Sequence, residues 1–185
     1  MHSANGYLLD QFLRDRTNKR TDRYGETLDN RSRLLLEVLD AVTSVAGVTA
    51  GDISDSDPQT LFNHVAKSLS TEGLAYLYVI EGDTSGKPVA PFDYAEIKRL
   101  FGGLYMANHA YDKARSNAAI AEGRADLIAF GKPFIANPDL VTRFLLDAPL
   151  AQLNQETLYG GAERGYTDYP LLSTVAPTTP VPCWG

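Results

Sequence analysis

Three residues near the start of the chain could act together on one reacting group: His2, Asn5 and Tyr7. If residues 2–5 form a turn, His2 and Asn5 lie three apart on one face and both can point donors at a single acceptor. Two convergent donors are what a developing oxyanion or enolate needs, and Tyr7 could supply a proton nearby. Spacing alone also permits a solvated terminus without chemistry. Other chemistries find less support. His2, His64 and His109 are too scattered for a metal site, and no carboxylate pair joins them at ligand spacing. Asp52, Asp55 and Asp57 lack the spacing and terminal glutamate of an EF-hand. Cys183 is the only cysteine, which excludes an internal disulfide and a multi-cysteine metal site. It reads as a free thiol in a proline-rich tail, and His64 as a structural residue at the surface or half-buried.

These residues need a scaffold. Leu34, Leu35, Val38, Leu39, Val42 and Val45 recur at helical spacing from about Asn30, ending near Ala46. Asp57-Pro58 opens a second helix whose apolar face is Leu61, Phe62, Val65, Ala66 and Leu69. The period then changes. Ala75 to Ile80 reads as a buried strand, Leu104 to Ala107 as a second and Asp126 to Phe130 as a third. Between them, Asp93 to Glu96 resembles a capping box, and a helix from about Asp112 to Glu122 closes at Gly123. Asn137-Pro138 opens a last helix. Alternating strands and helices mean βα units and a parallel sheet. A doubly wound sheet and a (β/α)8 barrel both satisfy that pattern. No G-x-G-x-x-G follows any strand, against the dinucleotide-binding form of the first. A complete barrel takes about 250 residues, and three clear strands do not close one. Residues 47–56, where the alternation requires a strand, read instead as a loop of Gly, Asp and Ser.

The 185 residues are 44% hydrophobic and 22% charged, as in a folded globular chain, and suggest one domain. A net charge of −6 with no basic patch argues against nucleic-acid or anionic-membrane surfaces. No apolar run approaches the roughly 20 residues of a bilayer span, and no secretory signal is recognised. The expectation is a cytoplasmic protein, with a domain over 1–170 and a flexible Pro-rich tail over 171–185.

The run from His2 to Leu13, then Asn18 to Gly25, then Asn30-Arg31, closely resembles the Old Yellow Enzyme family of flavin-dependent ene-reductases. Gly131 to Leu140 and Gly165 to Pro170 resemble that family's later motifs, in the same order. The resemblance covers most of residues 2–170 and implies an incomplete (β/α)8 TIM-barrel, the C-terminal half. It implies FMN as cofactor, with NADPH or NADH as reductant, and an α,β-unsaturated carbonyl compound as substrate. It implies that His2 and Asn5 hydrogen-bond the substrate carbonyl and that Tyr7 delivers a proton to the α-carbon. Asn108 and His109, with Gly131 and Lys132, would sit on the flavin phosphate, and Tyr159 would lie near the substrate.

The departures from that family's pattern are specific. The resemblance begins at the family's fourth strand, and Met1 directly precedes His2, leaving no strand to hold it. The strand expected within 47–56 would carry an arginine that contacts the flavin. His109 stands where glycine is usual, so its side chain is expected to obstruct close backbone approach. Lys132 replaces an arginine, a point charge in place of a bidentate fork, and Glu26 replaces a glycine. Three readings follow: an ene-reductase needing the missing barrel half or self-association, a non-catalytic half-barrel that binds a partner, or a phosphate- or flavin-binding module. Unpaired sheet edges favour self-association or a complementary half.

Overall fold

The computed structural model describes residues 6–41, 46–47, 55–82, 91–159 and 163–172. His2, Asn5, most of the 47–56 segment and the tail from 173, Cys183 included, lie outside the described residues. The chain divides into two compact units, Met1–Ala129 and Phe130–Gly185.

The first unit carries the sheet. Its strands are β1 (Ala46–Gly47), β2 (Tyr76–Ile80), β3 (Leu104–Asn108) and β4 (Leu127–Ile128), in the order β1-β2-β3-β4. All three pairings are parallel. The connections are helical: α1 (Leu8–Leu13) and α2 (Leu28–Ala41) precede the sheet, and α3 (Pro58–Leu69), α4 (Tyr94–Phe101) and α5 (Lys113–Ala121) link or follow its strands. This is the α/β architecture with alternating βα units that the sequence predicts. The four strands among the described residues are half the number in a closed eight-stranded barrel.

Local chemistry explains the helices. Asp57 accepts the Thr60 N–H at 3.2 Å, Pro58 occupies the first helical turn, and Leu61, Phe62, Val65, Ala66 and Leu69 form the buried face of α3. Asp93 accepts the Glu96 N–H at 3.0 Å to start α4, and Gly102 ends it at φ 71°, a left-handed conformation that glycine adopts without Cβ penalty. On the sheet, Leu77, Val79, Tyr105 and Ala107 are buried. The alternate positions differ: Tyr76 and Leu104, partners in register, are exposed, as is Leu127 opposite Met106. One face is therefore core and the other opens outward at its lower end.

Two expectations differ from the structure. The strand that the alternation requires exists as two residues, with Ala46 opposite Val79 and Gly47 opposite Ile80. It reaches into the 47–56 segment only at Gly47 and is held by parallel pairing with β2, so no apolar run of its own marks it. Before α2, Leu8–Leu13 is helical, and Asp10 and Arg14 form an ion pair at 2.7 Å with both side chains fully buried. Arg14 also lies 5.4 Å from the centre of the Phe62 ring on α3.

The second unit contains α6 (Lys132–Ala136), α7 (Leu140–Leu145) and a 3₁₀ turn at Gln155–Thr157. The helix expected to open at Asn137-Pro138 begins at Leu140, because the Asn137 side chain instead bridges Pro133 O at 2.9 Å and the Ala151 N–H at 2.7 Å. Arg143 ties the unit together, donating to Asp139 at 2.7 Å, Pro149 O at 2.8 Å and Pro170 O at 2.9 Å. Leu172, within the expected tail, donates its N–H to Asp139 at 2.7 Å.

Candidate functional site

Parallel pairing aligns the carboxyl ends of β2 and β3, with Ile80 opposite Asn108 and the Glu81 N–H donating to Asn108 O at 2.9 Å. In βα architectures this edge is where loops carry function. Just past it, the nearly buried Glu81 carboxylate receives two phenols: Tyr105 at 3.0 Å and Tyr111 at 2.7 Å. Arg115, on α5, approaches Glu81 at 3.9 Å and stacks 4.2 Å from the centre of the Tyr111 ring. Burial, reinforced by the adjacent carboxylate, pushes the Tyr111 hydroxyl up to about 12 and Tyr105 far above the ordinary phenol range. Tyr94 is also raised by burial, while its oxygen accepts the Gly82 N–H at 2.5 Å. The edge thus holds a negative charge in a web of phenol donors.

The turn leaving β3 is unusual. His109 has φ 97° and Ala110 φ 53°, both in the left-handed half of the map that side chains avoid. Arg115 Nη1 donates to the carbonyls of both, at 3.3 Å for His109 and 3.0 Å for Ala110. In a planar trans peptide the N–H points opposite to the C=O. The Ala110 and Tyr111 amides are therefore directed away from the guanidinium, and neither donates to an acceptor among the described residues. Paired backbone donors of this kind suit an anion such as a phosphate. The His109 ring lies against Gly82: a Cβ at Gly82 would sit 3.2 Å from His109 Cδ2. The Asn108 side-chain amide is engaged within the sheet, donating to Ala129 O at 2.8 Å.

The other anticipated residues are placed as follows. Tyr7 precedes α1, is 63% exposed, and accepts the Gln11 N–H at its carbonyl at 3.0 Å. In the second unit, Gly131 caps α6 with φ −98°, and a Cβ there would meet nothing within 4 Å. Lys132 is exposed and makes no ion pair among the described residues. Tyr159 is 90% exposed. Asn108 and His109 thus come together at one sheet edge. Glu81, Tyr105, Tyr111 and Arg115 were not anticipated. A usable clue was present: an acid followed by glycine at the end of a strand, where βα units place functional loops.

Two further clusters have structural explanations. Asp55 is buried against Arg31 at 2.6 Å and accepts the N–H groups of Asp15 and Asp57, so it serves a loop junction. Ser32 Oγ and Asp29 both meet the same nitrogen of His64, at 3.1 and 3.5 Å, which precludes a relay through the ring. No group of three metal-ligating side chains occurs among the described residues. No helix there is long and apolar enough to cross a membrane.

Residues 1–149 match the NADH:flavin oxidoreductase / NADH oxidase family. The chain is 38% identical to 12-oxophytodienoate reductase 1 of Oryza sativa subsp. japonica over 191 residues, covering 95% of this chain and 50% of that protein. Morphinone reductase superposes with a TM-score of 0.87 at 39% identity, over 92% of this chain and 49% of that one. Its complex with tetrahydroNAD gives a TM-score of 0.84, also at 39% identity, with 93% and 49% covered. The old yellow enzyme of Trypanosoma cruzi gives 0.86 at 36% identity, over 93% and 49%. The chain spans about half the length of the relatives it matches.

Proposed function

Because the chain belongs to the NADH:flavin oxidoreductase / NADH oxidase family, we propose that it contributes the phosphate-binding and proton-donating half of an FMN-dependent, NAD(P)H-driven ene-reductase. In this reading it acts with a complementary barrel half or a second copy. Bound FMN, once reduced, supplies a hydride to the β-carbon of an α,β-unsaturated carbonyl compound. The Asn108–Tyr111 turn, with its outward amides, binds the flavin phosphate, and the family resemblance assigns Gly131 and Lys132 to the same role. His2 and Asn5 hydrogen-bond the substrate carbonyl and stabilise the enolate-like charge. Tyr7 delivers the proton to the α-carbon, and Tyr159 borders the substrate.

The observation that supports this reading most is the pair of amides at the carboxyl end of β3 that meet no acceptor among the described residues, in a chain whose matches are flavin oxidoreductases. The test is to load the purified chain with FMN, alone and with a separately expressed N-terminal half of a relative, then desalt it. Retained flavin absorbance, with NADPH consumed on adding a small enone, is expected for at least the reconstituted pair. Replacing His2 and Asn5 should slow enone reduction more than flavin reduction. A preparation that stays colourless under both conditions overturns the proposal. The reading as a non-catalytic interaction module draws on one observation, the exposed Tyr76, Leu104 and Leu127 on the open sheet face.

A further inference from the structure

We propose that Arg115 is a positioning residue, held by Glu81 and Tyr111, that locks the Asn108–Tyr111 turn with its Ala110 and Tyr111 amides facing an anion. This rests on the reading that the turn receives the flavin phosphate. The turn demands such a lock. Two consecutive non-glycine residues at positive φ persist only when their surroundings over-determine them. One guanidinium nitrogen grips both carbonyls, at 3.3 and 3.0 Å, and peptide planarity converts that grip into a direction for the two following N–H groups.

Arg115 is in turn aligned from two sides. The centre of the Tyr111 ring lies 4.2 Å from its guanidinium carbon, and the Tyr111 hydroxyl is fixed on Glu81 at 2.7 Å. Glu81 is anchored by the Tyr105 hydroxyl at 3.0 Å and by its own N–H on Asn108 O. The ends of β2, β3 and α5 thus converge on one turn. Glu81 is an acid beside a proposed anion site, which a charge-matching argument alone would not place there. As the anchor of the arginine its presence has a reason.

That sign difference supplies the test. Inorganic phosphate is titrated into the isotope-labelled full chain while the Ala110 and Tyr111 amide resonances are followed. FMN and riboflavin, which lacks the phosphate, are titrated separately by flavin fluorescence. In the wild type, phosphate should shift both amides. Arg115→Met should weaken phosphate by about tenfold, the value of one charge-assisted contact. Glu81→Gln keeps the arginine and removes a repelling charge, so charge alone predicts tighter binding, whereas loss of the anchor predicts weaker binding by roughly threefold or more. Tyr111→Phe, neutral in charge, should weaken it in the same direction, and it carries the test with Glu81→Gln if Arg115→Met does not fold. Unresponsive wild-type amides, or folded Glu81→Gln that binds phosphate as well or better, overturn the proposal. If phosphate moves the amides but FMN binds no more tightly than riboflavin, the positioning role stands and the flavin reading falls.

Discussion

Tyr111 and Glu81, separated by 30 positions in the chain, meet hydroxyl to carboxylate at 2.7 Å. The contact closes a gap between two consecutive βα units, since Glu81 follows β2 and Tyr111 leads from β3 into α5. It also gives the sheet edge a defined response to pH.

Burial and the Glu81 carboxylate hold the Tyr111 proton up to about 12, against an ordinary value of 10.0. Above the ordinary value the unfolded chain loses this proton before the folded one does. The stability contributed by the group is therefore complete below about pH 10 and disappears as pH rises through about 12. Thermal melts between those limits should fall more steeply for the wild type than for Tyr111→Phe. In Glu81→Gln, near-ultraviolet absorbance should show one phenol ionising at lower pH. An unchanged tyrosine titration would show that the carboxylate does not hold the proton.

His109 should be improved upon by glycine. At φ 97° a side chain carries strain of about 1 kcal/mol or more, which glycine does not. The substitution also loses the ring contact on Gly82 and adds chain entropy to the unfolded state, so the net gain is about 0.5–1 kcal/mol. That corresponds to a rise in Tm of about 1–4 °C for a chain of this size. A His109→Gly variant that melts lower would mean that the ring packing outweighs the backbone strain.

The buried Asp10–Arg14 pair predicts an asymmetric response. Arg14→Met leaves the Asp10 carboxylate buried beside the Gly6 N–H that it accepts at 3.0 Å, without its cation. An uncompensated buried charge costs about 3–5 kcal/mol. Replacing both residues with apolar ones should recover most of that loss. Urea unfolding of both single variants and the double variant checks this; additive losses would mean that the pair is not coupled.

What could be read in advance was what is local. Asp57-Pro58 and Asp93 to Glu96 announce their helices because a cap acts within three residues. The buried face of α3 follows from helical periodicity, and β2 and β3 from short apolar runs, although Tyr76 and Leu104 at their starts are exposed. What escaped was held by distant partners. β1 is defined by register with Val79 and Ile80, and Asp10 and Arg14 are an ordinary i, i+4 pair in the sequence that the fold buries, with Phe62 against Arg14. The same holds for the site. Asn108 and His109 were legible through motif resemblance, but Glu81 acquires its role only when the parallel register sets Ile80 beside Asn108.

The open sheet face makes the final prediction, about association. The outer strands, β1 and β4, have two residues each, and short edge strands offer a poor template for pairing. The face is the better surface. Tyr76, Leu104 and Leu127 are respectively 38%, 52% and 38% exposed, and the register places Tyr76 beside Leu104 and Leu127 beside Met106. Contiguous apolar surface of this kind marks an interaction site or an aggregation hazard. The isolated chain should therefore sediment as a dimer or larger species at tens of micromolar. The double variant Leu104→Lys/Leu127→Lys should shift it toward monomer while preserving its circular dichroism, because both side chains already face outward. Association that persists unchanged in that variant would move the contact away from this face. A wild type that stays monomeric would show that burying the face is not what drives assembly, leaving a complementary half-barrel as the partner to be tested by co-expression.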